Sequence, residues 1–281
     1  MLERKQMADF SDGQLAGGPS VADEDSISSA KKLDTTLVKG FAVLQALAVA
    51  EGPLGISTLS EQLGIGKSNV HRLLMTMTAL GYVRKEAATR QYAPTLKLWE
   101  LGTAIARRNP LIRAARPVMQ ALHEETGEAV YMSMLSGIDI LYLEKIESSK
   151  GAKSPSRIGL RMPAVTTASG KVLLAHQPNR AALVEMAIGE LPTDAVIKID
   201  DVLAEFEEIR IKGFAVSDSG WIRGVNALAV GIPNRGRPPL GAIGISVLPD
   251  RYDVNQLERL APKLFNAATE IASTLGVGHR S

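Results

Sequence analysis

The sequence predicts an α+β protein in two parts: a small helical unit closed by a β-hairpin, then a larger domain built on a mainly antiparallel sheet. Three observations predict this. Over residues 34–94, apolar residues recur at helical spacing and then give way to two short, polar, β-like runs. Beyond Gly127, strand-like and helix-like runs mix without the regular alternation of a parallel sheet. With 281 residues, the chain is about twice the usual size of one domain.

Composition narrows the class. Apolar residues make up 45% and charged residues 22%, which is ordinary globular usage. Aromatics are 4%, so aliphatic side chains and Met must do most of the packing. Cysteine is absent, which excludes disulfides, thiolate metal sites and thiol catalysis and fits a reducing, cytoplasmic setting. No run approaches the roughly 18 apolar residues of a membrane span, and the N-terminus lacks a signal-peptide core. No membrane partner is expected. The net charge is +2, so any affinity for nucleic acid must come from a local patch.

Residues 1–33 carry Gly, Ser, Asp and Gln with few large apolar residues, and read as a disordered tail. Asp34 is placed to cap a helix whose apolar stripe is Leu37, Phe41, Leu44, Leu47 and Ala48. Glu51-Gly52-Pro53 breaks it. A second helix follows Ile56, with Ser57 or Thr58 as its cap and Leu59 and Leu63 inward. Gly64-Ile65-Gly66 is a tight turn. A third helix carries Val70, Leu73, Leu74, Met77 and Leu80 on one face and ends at Gly81. Tyr82–Lys85 and Arg90–Ala93 form a hairpin with its tip at Glu86–Thr89, and Pro94 closes the unit.

A connector helix spans 95–109, with Leu96, Leu98, Leu101 and Ile105 apolar. The remaining domain is 110–281, opening with a helix to about Glu125. Its strands are expected at Ala129–Leu135, Ile138–Ile146, Phe214–Ser217, Ala227–Ile232 and Leu240–Leu248. Its helices are expected at Ser169–His176, Arg180–Ile188, Val202–Lys212 and Val254–Leu275.

Helix, helix, Gly turn, helix and hairpin over residues 34–94 is the order of a winged helix-turn-helix. Its second turn-flanking helix enters the DNA major groove, and residues near that helix's N-terminus reach base edges. Here these are Lys67, Ser68, Asn69, His71 and Arg72, opposite the apolar face. Arg can grip guanine and Asn can pair with adenine, while Ser and Lys hold phosphate. Between Gly52 and Ala93 five basic residues (Lys67, Arg72, Arg84, Lys85, Arg90) face two acidic ones, Glu61 and Glu86. Arg84, Lys85 and Arg90 place three of those charges on the wing. A charged solvent face on a small bundle is the competing reading of each residue singly; the ordered set favours double-stranded DNA. Gly66-Lys67-Ser68 resembles the end of a phosphate-binding loop, but Glu61 stands where that loop needs Gly. Ser169-Gly170-Lys171 fails the same way, with Val165 at that position.

These residues resemble the IclR family of bacterial transcription regulators. Ile56–Val83 is similar to the family's helix-turn-helix, with Lys67-Ser68-Asn69 and Arg72-Leu73-Leu74 at its motif positions. Gly159–Ala175 resembles the effector-domain signature, and Gly213–Asn234 followed by Ala242–Leu248 gives a third match in order. The resemblance covers about 35–276. It implies a GAF-like sensor domain whose pocket takes a small organic acid, aromatic acids included, and homodimers that pair into tetramers on palindromic operators. Repression is the commoner habit it implies, and no cofactor. The chain departs from the pattern at Ser217, Ala227, Gly231 and Gly244, and keeps a serine at Ser246.

The effector residues expected on this basis are Met132, Met134, Leu160, Thr167, Ala168, Ser169, Ser217, Asp218, Trp221, Ala227, Leu228 and Ser246. Ser169 could cap the helix that follows it, and open amides near Ala168 would favour a carboxylate. Met132, Met134, Trp221, Ala227 and Leu228 would make an apolar wall; ordinary core is the alternative for the methionines. An enzyme is the weaker expectation. His71, His123, His176 and His279 lack metal-ligand partners at helical spacing, and no Gly-x-Ser-x-Gly elbow occurs. No catalytic residue and no metal are expected. A DNA-binding protein without a ligand is the third reading.

Overall fold

The computed structural model describes residues 33–150, 157–192, 195, 197–218 and 225–277. The chain divides into two compact units, Met1–Ala104 and Ile105–Ser281.

In the first unit, helix α1 (Thr35–Val49) starts where expected. Asp34 accepts hydrogen bonds from the amides of Thr36 (2.8 Å) and Leu37 (3.1 Å). Its inward face differs from the expected stripe. Gly40, Val43 and Leu47 are buried, whereas Leu37 and Phe41 are 61% and 57% exposed. Gly40 faces Leu73 and Met77 of the third helix, 3.8 and 3.6 Å from where its Cβ would stand, which marks the buried face of α1. Helix α2 (Ile56–Leu63) begins directly after Gly55 with no side-chain cap, so Ser57 and Thr58 lie inside the helix instead of capping it. Gly64, at φ +62°, makes the turn that only glycine adopts easily. Helix α3 (Lys67–Ala79) follows. Strands β1 (Val83–Lys85) and β2 (Tyr92–Pro94) pair antiparallel, and Leu54 bridges to Tyr92. Val43, Leu47, Leu59, Val70, Leu74 and Tyr92 form the core. Helix α4 (Lys97–Arg108) runs across the division between the units and buries none of its residues.

In the second unit, α5 (Pro110–Thr126) is capped by Asn109 and precedes the hairpin β3 (Ala129–Ser136) and β4 (Asp139–Ile146). The short β5 (Arg161–Pro163) leads through a 3-10 turn, Ala164–Thr166, into α6 (Ala168–Ala175). Then come α7 (Arg180–Gly189), α8 (Ile199–Lys212), β6 (Phe214–Ser217), β7 (Asn226–Gly231) and β8 (Ala242–Val247). Two helices, α9 (Val254–Glu258) and α10 (Ala261–Thr274), complete the described chain. The last two were expected as one helix; Pro262 in the first turn of α10 has no N–H to continue the ladder. β5 was not expected, since three residues ending in Pro suit only an edge strand.

The strands form one six-stranded sheet, β5-β4-β3-β8-β7-β6, with every neighbouring pair antiparallel. Alternate residues supply two cores. Val130, Met132, Leu228, Val230, Ile243 and Ile245 face α5 and α10. Tyr131, Tyr142, Ala215, Ala227 and Ala229 face α6 and α8. Gly170 lets α6 sit tightly on the preceding turn: a Cβ there would meet the Ala164 carbonyl oxygen at 2.0 Å.

Candidate nucleic-acid interface and sensor site

Helix α3 buries Val70, Leu73 and Leu74 and leaves Lys67, Ser68, His71 and Arg72 exposed, with Asn69 half-buried. Arg72 Nη2 donates to Asn69 Oδ1 at 3.1 Å, one helical turn away. This bond holds the guanidinium over the helix and leaves the Asn69 amide protons free to donate. Gly66 provides no side-chain cap, so the first amides of α3 stay open to a phosphate oxygen. Ser57 is exposed near the start of α2.

The wing charges are less free than their number suggests. Arg84 pairs with Glu86 at 3.0 Å, and Lys85 lies 5.6 Å from the centre of the Tyr92 ring. Arg90 is exposed and stands at φ +59°. A non-glycine residue there costs about 1–2 kcal/mol, so the turn's hydrogen bond from the Arg90 amide to the Glu86 carbonyl holds it in place (3.0 Å).

In the second unit, the register gathers three expected residues into one row. Ser217 pairs with Ala227, and Ala227 with Ser246, all on the face under α6. Thr167, not Ser169, caps α6: its hydroxyl accepts from the Gly170 amide at 3.0 Å. Ser169 is one residue into the helix and fully buried. Ala168 is buried beside it, and Leu160 packs against the same core. Asp218 is exposed at the end of β6. Met132, Met134 and Leu228 stand apart from this group. Strand alternation points them to the opposite face, into the core with α5 and α10, so they do not form the expected wall. Trp221 lies outside the described residues.

Sequence reasoning missed the residues at the centre. Tyr131 stands across from Gly244 on β8 and Lys145 on β4. A Cβ on Gly244 would lie 2.5 Å from the Tyr131 Cζ and Oη atoms, so the absent side chain makes room for the ring. Tyr142 meets Tyr131 edge-on at 5.5 Å between ring centres. Burial raises the Tyr131 phenol's pKa; the neighbouring Tyr142 adds to the rise, and the nearby Ser169 hydroxyl opposes it. Around this ring lie three buried hydroxyls, Ser133, Ser169 and Ser246, whose Oγ atoms have no hydrogen bond of normal geometry. Lys145, with a side chain 5% exposed, holds Glu147 at 2.8 Å. Lys171 points elsewhere and pairs with Glu205 of α8 at 2.8 Å. The signal for Tyr131 and Ser133 was strand alternation counted from Ser246; the even-numbered methionines lie on the other face of the sheet.

An open groove of about 690 Å³ lies between α7 and α8, lined by Asn179, Arg180, Leu203 and Glu207 among others. None of the residues around Tyr131 lines it. Among the described residues, no three His, Cys, Asp or Glu side chains are grouped to hold a metal.

Residues 36–87 match the IclR helix-turn-helix domain, and 103–273 match the bacterial transcriptional regulator IclR C-terminal domain. The chain belongs to the IclR family. It is 32% identical over 255 residues to the HTH-type transcriptional regulator KdgR of Escherichia coli (strain K12), covering 90% of this chain and 94% of that protein. A transcriptional-regulator structure from Rhodococcus sp. RHA1 has a TM-score of 0.72 at 26% identity, covering 87% and 99%. An IclR homologue from Microbacterium hydrocarbonoxydans, solved in complex with 4-hydroxybenzoate, has a TM-score of 0.71 at 20% identity, covering 86% and 99%. The IclR-family chain is therefore a DNA-binding transcription regulator and not an enzyme, with an N-terminal helix-turn-helix and an α+β C-terminal unit.

Proposed function

We propose that this IclR-family regulator is a repressor that releases double-stranded operator DNA when a small organic acid occupies the face of the sheet under α6. One observation carries the reading: two buried serine hydroxyls without partners, Ser133 and Ser246, share the face under α6 with the Tyr131 phenol and the Ser169 hydroxyl beside it. Each buried hydroxyl left unpaired costs about 1–3 kcal/mol, and a ligand that pairs with them recovers that loss. Lys145, on the same face, brings a buried ammonium suited to a carboxylate. The 4-hydroxybenzoate bound by the Microbacterium homologue makes aromatic acids the first to try.

The DNA-contacting residues are Ser57, Lys67, Ser68, Asn69, His71, Arg72, Arg84, Lys85 and Arg90. The effector residues proposed from the sequence and retained are Leu160, Thr167, Ala168, Ser169, Ser217, Ala227 and Ser246, joined by Tyr131, Ser133 and Lys145. The chain acts in the cytoplasm, where its DNA is, and no helix among the described residues is long and apolar enough to cross a membrane. It works as a homodimer, paired further into a tetramer. Leu96, just before α4, and Trp99, Leu101 and Ile105 on it are 49–76% exposed, and Leu37, Val38 and Phe41 on α1 are 49–61% exposed. A second copy is the occupant that would cover these faces.

Thermal unfolding of the full chain with 4-hydroxybenzoate and a set of aromatic and aliphatic acids tests the reading. At least one acid should raise the melting midpoint. Ser246→Ala should raise the midpoint of the ligand-free chain, by removing an unpaired hydroxyl, yet shrink the response to that acid. No response to any acid, or an equal response in the variant, would overturn the site.

A further inference from the structure

The second unit carries a cluster of arginines that the reading above does not use. Arg107 and Arg108 end α4, Arg113 lies in the first turn of α5, and Arg235 and Arg237 lie in the turn between β7 and β8. All five are exposed, and none has an ion pair or side-chain hydrogen bond among the described residues. Five other arginines of this unit are paired: Arg116 with Glu144, Arg161 with Asp139, Arg180 and Arg210 with Glu207, Arg251 with Glu128.

The fold brings the two stretches to one end of the sheet. Gly241, at the base of the β7–β8 turn, sits against α5: a Cβ there would lie 3.3 Å from Leu111 Cδ2 and 2.7 Å from the Ser133 carbonyl. Leu240, one residue earlier, packs into the same core as Leu111. The turn is braced. Ile232 exchanges hydrogen bonds with Leu240 and Gly241 at 3.0 and 2.8 Å, and the Arg237 amide donates to the Asn234 carbonyl at 2.8 Å. Asn234 Nδ2 donates to the Pro238 carbonyl at 3.1 Å, and Pro239 packs on Gly231. Arg235 stands at φ +41°, a conformation an arginine adopts only when its surroundings hold it there. The carboxylates nearest in the register, Asp139 and Glu144, are already paired.

We propose that this arginine end of the second unit is an additional, sequence-independent DNA-backbone contact. Guanidinium groups match phosphate oxygens in planar, two-point fashion. Its arginines stand at a helix end, in a helix's first turn and in a strand-connecting turn, and arginines so spread suit phosphate contacts more than base readout. DNA is the polyanion chosen because the chain belongs to a DNA-binding family; an acidic protein surface is the competing partner. The inference needs nothing from the effector site.

The test is fluorescence anisotropy of the full chain on a random-sequence 40-bp duplex over a range of KCl concentrations. Each phosphate contact adds about 0.9 to the slope of log affinity against log salt. The variant R107A/R108A/R235A/R237A should therefore lose roughly two to four from that slope with an unchanged melting midpoint. R107K/R108K/R235K/R237K should keep it, since lysine holds phosphate as a point charge. The patch variant should lower the slope equally when combined with R72A, which acts through the first unit. An unchanged slope in the alanine variant overturns the proposal and leaves an acidic protein as the partner to seek; an equal loss in the lysine variant also overturns it.

Discussion

The Tyr131 ring lies over Gly244, directly across the β3–β8 ladder, in the space a side chain on Gly244 would fill. Gly244→Ala should therefore destabilise the second unit by about 1–3 kcal/mol through overpacking. Tyr131→Ala in the same chain should relieve much of that penalty. A double-mutant cycle followed by urea unfolding checks this; additive losses would mean that the two residues are not coupled.

Gly170 and Gly102 are helical glycines with opposite surroundings. A Cβ on Gly170 would meet the Ala164 backbone at 2.0–2.5 Å, while one on Gly102 has nothing within 4 Å. Gly170→Ala should abolish cooperative unfolding of the second unit or lower its midpoint sharply. Gly102→Ala should stabilise α4 by up to about 1 kcal/mol, the difference in helix propensity. Calorimetry on the two variants separates these outcomes.

Tyr131 and Tyr142 make stability depend on alkaline pH. Burial raises both phenols above their ordinary value near 10. Below that pH both folded and unfolded chains carry neutral phenols, so the contribution is intact. Above it the unfolded chain deprotonates first, and stability falls as pH rises. Urea unfolding at pH 9 and 11 should show this loss, and Y131F/Y142F should show less of it.

Asn69 orients Arg72 through the 3.1 Å bond on α3. Arg72→Ala should weaken specific binding by about 1–3 kcal/mol, the worth of one good base contact. Asn69→Ala should weaken it as well, while affinity for random-sequence duplex changes little. Parallel titrations of specific and random duplexes give both values.

Much of the fold was legible because its signals are local. Asp34 as cap, the Gly64 turn and the strand starting at Phe214 depend on neighbours in sequence. The row Ser217–Ala227–Ser246 was legible for the first unit of information, residue type, while its assembly needed the register of three strands. Where reading failed, a contact distant in sequence decided. The face of α1 that meets α3 is Gly40, Val43 and Leu47, which leaves Phe41 outward. Met132 and Tyr131 are adjacent, and choosing between them meant choosing a sheet face, which a one-residue shift reverses. Ser169 lost its capping role to Thr167 because the 3-10 turn advances the helix start. Nothing local marks Gly244 as the seat of a tyrosine.

Control of operator binding is proposed to lie with the hydroxyls around Tyr131. The most direct test is a gel-shift titration of the full chain on the duplex flanking its own gene, with and without the acid that most raises its melting midpoint. The acid should release wild-type protein from this DNA, and S169A/S246A should bind the DNA normally but resist release. Equal release of the variant and the wild type would contradict the claim.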